Sequence, residues 1–207
     1  PDDSDIYIYL IFMNCQVLSI IKHQNRQYTV DNWQNIGNFY IITHSTELSS
    51  GKPVIIQSLS PGITSHPSFH QWRQKFLYLG QQLSKCHHPN LAKVIDIFEY
   101  QGFPYLVYEK ILGVSLENLL QQEVMISNDK ALNLITEVAD AVKVLHSKGL
   151  YHQGISPKSI IYCCLEDRVI LTDLALFTPL SQEIRYRIAL LQDGYAASEQ
   201  YEVGQNS

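Results

Sequence analysis

The side chains with the most chemistry to offer gather in two neighbouring stretches toward the end of this 207-residue chain. One is a polar loop, Tyr151-His152-Gln153-Gly154-Ile155-Ser156-Pro157-Lys158-Ser159, which holds an imidazole, hydroxyls and an amine. The other, Asp173-Leu174-Ala175, puts a carboxylate where a β-branched run gives way to a turn, a place where backbone amides can receive it. Elsewhere the reactive groups are scattered. Cys15, Cys86, Cys163 and Cys164 have no metal-ligand spacing, and reduced, buried thiols are the plain reading. His87, His88 and the remaining histidines show no ligand spacing either.

A helix must lead into the polar loop. Leu134, Ile135, Val138, Ala141, Val142 and Leu145 recur at helical spacing and predict an amphipathic helix with those residues on its apolar face. Ser127 or Asn128 can cap its start, and Asp129 lies where a helix N-terminus favours negative charge. Gly149 is a natural left-handed stop. Beyond the loop, 159–163 and 169–172 read as strands around the turn residues Glu166-Asp167-Arg168. Upstream, a helix is predicted over 68–86 with Trp72, Phe76, Leu79 and Leu83 on its apolar face. A strand holding Val54-Ile55-Ile56-Gln57 precedes it, and a strand, turn and strand over 91–109 follow it. Ser115 is a plausible cap for a short helix after Gly113.

A hydrophobic content of 45% and a charged content of 17% describe a soluble globular protein with one full core, or most of a two-lobed one. A net charge of -5 favours neither nucleic acid nor an anionic membrane as partner. Residues 6–13 form an apolar run, but Asp2, Asp3 and Asp5 precede it where a secretory signal needs positive charge. The run also falls short of the ~20 apolar residues of a spanning helix. A strand pair, or an upstream extension with Met13 as the true start, is favoured over a membrane anchor, and a cytoplasmic location is expected. Both ends look cut: the chain starts on Pro1 and stops in a polar tail, which suggests a fragment or a gene model with a wrong start.

In this order and spacing the segments resemble the protein kinase family, in its bacterial and especially cyanobacterial serine/threonine form. The family writes the polar loop as H-R-D-L-K-P-x-N and the later site as D-F-G. Here they are H-Q-G-I-S-P-K-S and D-L-A, and 194–201 is similar to the family's G-Y-A-P-P-E-Q. The resemblance covers 27–207 and implies an α+β, two-lobed fold: a small β-rich N-lobe with one main helix, and a mainly helical C-lobe, here truncated. The implied division is an N-terminal apolar extension over 1–26, N-lobe and hinge over 27–112, and an incomplete C-lobe over 113–207. Residues 28–42 would form the first two strands, with Asn35-Ile36-Gly37-Asn38-Phe39-Tyr40 in place of the glycine-rich phosphate loop.

The resemblance also says which chemistry is gone. Gln57 replaces the lysine that grips the nucleotide phosphates, and Leu79 the glutamate that pairs with it. Gly154 replaces the general base, Ser156 the loop lysine, and Ser159 the asparagine that holds a second magnesium ion. Gln153 stands for the arginine that reads an activation-loop phosphate. No catalytic residue is therefore assigned. Loss of a general base costs ~10²–10⁴-fold, and stabilising transition-state charge is most of what a kinase does. Losing lysine and glutamate together strands no buried charge. Asp173 survives, either as a magnesium ligand beneath ATP or, the favoured reading, as a cap for its own turn. His152 would pack under it as structure. Ile36, Gly37, Ile42, Ile55, Tyr108, Glu109, Ile111 and Ile161 would line an adenine cleft, narrowed by Ile55.

The expected function is thus a pseudokinase, a protein-binding or regulatory module that needs no cofactor and binds ATP with magnesium weakly at most. The partner would be another protein, not nucleic acid. The alternatives are an atypical ATP-binding kinase with weak phosphotransfer through Asp173, or a non-functional gene fragment.

Overall fold

The computed structural model describes residues 10–13, 16–30, 33–36, 39–122, 125–152, 154–173 and 194–195. The chain divides into two compact units, Pro1–Leu77 with Val94–Lys110, and Tyr78–Lys93 with Ile111–Ser207. The stretch 78–93 groups with the second unit.

The first unit is built on an antiparallel sheet. Its strands are β1 (Leu10–Met13), β2 (Gln16–His23), β3 (Arg26–Val30), β4 (Gln34–Ile36), β5 (Tyr40–Glu47), β6 (Lys52–Leu59), β7 (Val94–Tyr100) and β8 (Phe103–Glu109). They run in the order β1-β2-β3-β5-β6-β8-β7, with β4 paired to β5. The turns explain the hairpins. Gln101 and Gly102 both have positive φ (48° and 79°), as a two-residue turn matched to sheet twist requires. The N-terminal apolar run is part of this sheet, because β1 and β2 form a hairpin and β2 goes on to pair with β3. The region expected to hold the first two strands contains β3, β4 and the start of β5 instead, because the short β4 pairs antiparallel with β5.

The sheet curls until β2 meets β7. His23 Nδ1 lies 3.0 Å from Asp96 Oδ2, Tyr28 donates its hydroxyl to the same oxygen at 3.2 Å, and the His23 ring stacks on Phe98 at 4.4 Å. A bulge between Val94 and Asp96 disturbs the register at this point, and such bulges re-aim side chains. Inside the curl, Ile21, Tyr28, Val30, Val54, Ile56, Phe98 and Val107 form a buried core. The helix α1 (Phe69–Leu83) carries Trp72 edge-on to Phe39 at 5.5 Å and Phe76 against Tyr40 at 6.3 Å. Arg73 ties it to the β7–β8 hairpin through Gly102 O (3.3 Å) and Glu99 (3.5 Å).

In the second unit β9 (Val114–Ser115), β10 (Ile160–Cys163) and β11 (Arg168–Leu171) make an antiparallel sheet in the order β11-β10-β9. The short helix α2 (Leu116–Gln121) is capped by Ser115 Oγ, which accepts from Asn118 N at 3.1 Å. The long helix α3 (Asn128–Ser147) is capped by Ser127 Oγ, which accepts from Lys130 N at 3.3 Å. Gly149 ends it at φ 68°, with Leu150 N donating back to Leu145 O at 3.1 Å. Helix α3 buries Leu134, Val138, Ala141 and Leu145, and Leu134 and Val138 pack on Val169 of β11. Ile135 does not join them: it is 65% exposed, as is Leu132, because the buried stripe is narrower than the apolar pattern. Cys86 and Cys163 are buried, whereas Cys164 is exposed, against the expectation of buried thiols throughout.

The link before β7 anchors β11. Leu91 bridges Leu171 in parallel, Ala92 N donates to Leu171 O at 3.0 Å, and Leu171 N to Asn90 O at 2.8 Å. Among the described residues, no helix is long and apolar enough to cross a membrane.

Candidate functional site

Strand pairing in the first unit decides which predicted residues meet. In the antiparallel ladders Ile42 lies opposite Gln57, Gln57 opposite Leu106, and Ile55 opposite Tyr108. Directly opposed residues point to the same side, so Ile42, Ile55, Gln57 and Tyr108 share one face of the sheet. Ile36, opposite Tyr40, joins them there. Alternation sends their neighbours Val54 and Ile56 into the core on the other face. Gly37 lies outside the described residues; Glu109 ends β8 and is half-buried.

Gln57 is the chemical surprise on this face. It is 1% exposed, and its Nε2 has no hydrogen-bond partner among the described residues. An unsatisfied buried donor costs about 1–3 kcal/mol, and a buried unpaired charge several. The position therefore tolerates a neutral amide at modest cost. Leu79 is half-buried on α1 and brings no charge.

The second unit holds the polar loop, closed on its own backbone. Ser159 Oγ accepts from Ser156 N at 3.1 Å and sits 3.0 Å from Ser156 O and 3.3 Å from Gly154 O, to which its hydroxyl can donate. Thr172 N and Thr172 Oγ1 both donate to Ser159 O, at 2.8 and 3.0 Å. His152 is 2% exposed and its Nε2 lies 3.0 Å from Thr172 O, so a proton on that nitrogen ties loop to strand. Burial resists its charged form and pulls its pKa down to about 4. Ser156 is buried, with no hydrogen-bond partner for its Oγ among the described residues. At Gly154 an added Cβ would meet, among the described residues, only His152 O, at 3.9 Å. Gln153 is outside the described residues. Ile111 and Ile161 are half-buried in this unit, Ile161 opposite Ser115.

Asp173 follows β11 in the left-handed region at φ 60°, a conformation Asp tolerates better than most residues. Burial pushes its carboxyl above the ordinary aspartate range, which favours the protonated form. The amides that would cap it, at 174 and 175, lie outside the described residues. Within the second unit the Ser159 hydroxyl is taken up by its own loop, and Asp173 stands at the end of β11. Among the described residues no group of three His, Cys, Asp or Glu could hold a metal ion.

Two residues that matter to this site carry no motif that marks them in that role. Asn90 Nδ2 donates to Val169 O at 2.6 Å and to Glu137 Oε2 at 2.9 Å, and the same Glu137 oxygen accepts from Val169 N at 2.8 Å. They clamp β11, and hence the approach to Asp173, to α3 and the 88–92 link. A signal existed, since Glu137 lies between the buried Leu134 and Val138 on α3.

The sequence model of the protein kinase domain matches residues 68–206, more than half of the chain. The chain belongs to the protein kinase family. Its similar relatives include a probable serine/threonine-protein kinase PknB of Lactococcus lactis, 28% identical over 48% of this chain and 16% of that protein. Another is a probable serine/threonine-protein kinase YbdM of Bacillus subtilis, 25% identical over 77% of this chain and 60% of that one. Among solved structures, the apo form of PpkA-294 has a TM-score of 0.65 at 21% identity, covering 84% of this chain and 68% of that one. The Mycobacterium tuberculosis PknI kinase domain has a TM-score of 0.53 at 19% identity, covering 72% and 59%. The fold is thus that of a protein kinase, with a β-rich unit carrying one main helix and a second unit carrying the loop. Within the family this is a serine/threonine-kinase-like domain, and it spans 16% and 60% of those two curated relatives.

Proposed function

We propose that this kinase-family domain is a pseudokinase, a regulatory module of the cytoplasm that binds another protein and does not transfer phosphate. The observation that carries this reading is Gln57, buried and uncharged at the family's phosphate-gripping position. The loop supports it, since Gly154 offers no base and the Ser159 hydroxyl is spent on its own backbone. Loss of the base alone accounts for ~10²–10⁴-fold, and the charge that would stabilise the transferring group is gone as well. No cofactor is required for the proposed role.

A thermal-shift titration of the purified chain with ATP, with and without magnesium, tests this. A ligand at a hundredfold excess over Kd adds about 2.7 kcal/mol of apparent stability. The expected result is no shift in millimolar ATP and no transfer of labelled phosphate to protein substrates. A magnesium-dependent shift that disappears in Asp173→Ala, accompanied by label transfer, overturns the proposal. It would favour the atypical-kinase reading, whose one support is Asp173 at the end of β11.

A further inference from the structure

Helix α3 carries two apolar stripes, and only one of them is buried. Leu134, Val138, Ala141 and Leu145 form the buried one. In the other, Leu132 and Ile135 are each 65% exposed, Ala139 is exposed a turn further on, and the half-buried Val142 extends the line. Single exposed apolar residues are ordinary on a protein surface. These four are spaced by three, four and three residues, the seam along which two helices interlock.

The charges beside the seam decide what covers it. Along one flank run Asp129, Thr136 and Lys143, one heptad apart and all exposed. Among the described residues neither charge has an ion-pair partner. The Thr136 hydroxyl already donates to Leu132 O at 2.8 Å, so covering it strands no donor. An antiparallel second copy of α3 sets this flank against itself. Asp129 then faces the partner's Lys143, Lys143 faces the partner's Asp129, and Thr136 lies at the twofold axis. The apolar layers close in the same arrangement: Leu132 meets the partner's Val142, and Ile135 meets the partner's Ala139, large against small. A parallel pair does worse. It sets the charged flank against the opposite flank of the second helix, Ala131, Val138 and Leu145, where neither charge finds a partner.

From this charge complementarity we infer that the exposed stripe of α3 is the interface of a homodimer, two copies of the helix packing antiparallel about a twofold axis at Thr136. The inference stands apart from the pseudokinase reading, because it uses no residue of the polar loop or of the Gln57 face.

Sedimentation equilibrium of the full chain over a concentration series tests it. The expected result is a reversible monomer–dimer equilibrium that Ile135→Glu abolishes; the position is exposed, so the monomer should keep its fold. Asp129→Lys and Lys143→Asp each set like charges opposite one another and should weaken association about tenfold or more. An equimolar mixture of those two variants should recover it, since the added lysine of one faces the added aspartate of the other. Salt should shrink the differences. A purely structural effect of either substitution gives no such recovery. A monomer at every concentration up to the solubility limit would overturn the inference. If that monomer also melts earlier in Ile135→Glu, the stripe is covered by another segment of the same chain. A dimer undiminished by Ile135→Glu would overturn it as well, and so would a mixture that associates no better than its components. Should Asp129→Lys fail to fold, because a helix start favours negative charge, Ile135→Glu remains the deciding comparison. The ATP titration is indifferent to this face, so either reading can fail without the other.

Discussion

At the scale of single residues, the one-letter code shows which residue stands at each kinase motif position, but not the physical surroundings of that residue. The family resemblance sets Gln57 where kinases have a lysine; that its amide nitrogen is buried with no hydrogen-bond partner among the described residues depends on the tertiary surroundings of β6 between β5 and β8. The energetics give a prediction in both directions. Gln57→Met removes the orphaned donor at similar volume and should raise stability by about 1 kcal/mol. Gln57→Lys introduces a charge at a buried position, and should cost about 3 kcal/mol or more. Urea unfolding of the three proteins at neutral pH measures both. His152 gives a pH prediction. Its pKa falls from an ordinary value near 6.5 to about 4 in the folded chain, so the unfolded state takes up the proton first as pH drops. The stability tied to neutral His152 is complete above about pH 6.5 and is lost as pH falls toward 4, a loss of roughly 3 kcal/mol. Asp173, raised by burial, works in the opposite sense and gains relative stability as pH falls. The difference between the unaltered protein and His152→Gln, measured by denaturant midpoints across that window, isolates the imidazole.

At the scale of elements, the predicted helices formed because their local signals agreed. Ser127, Ser115 and Gly149 sit at the helix ends where their chemistry places them, and the β10–β11 hairpin follows from its β-branched runs. The errors came from tertiary context. Ile135 fits a helical stripe, yet it stays exposed, while Leu134 and Val138 pack on Val169 with Val142 partly buried beside them. Three strands rather than two lie between residues 26 and 47, because the three-residue β4 adds an antiparallel pairing to β5 that no alternation in so short a stretch announces. Gly113 carries a constraint invisible in sequence. A Cβ there would lie 2.4 Å from Tyr162 O, on the backbone of β10, so β9 can pair only if residue 113 has no side chain. Gly113→Ala should therefore cost about 1–3 kcal/mol, whereas Gly154→Ala, whose Cβ has 3.9 Å of clearance, should be close to neutral. Calorimetric melting of the two variants side by side checks the contrast.

At the scale of the whole molecule, the order of motifs was enough to place the chain among kinases, because that order survives when the individual chemical residues do not. What no motif announced is the closing of the first sheet, where His23 reaches Asp96 across 73 positions. The same unit is written in two instalments, Pro1–Leu77 and Val94–Lys110, with a passage between them that belongs to its neighbour. This has a consequence for how the protein is made. As the chain leaves the ribosome, β1 to β6 and most of α1 emerge with β8, the second partner of β6, and Asp96, the partner of His23, still unsynthesised. The first unit cannot finish before the second has begun, so the two halves are interleaved in time as well as in sequence. A polypeptide ending at residue 77 should show no cooperative melt and should be digested rapidly by protease; addition of 78–110 should restore resistance.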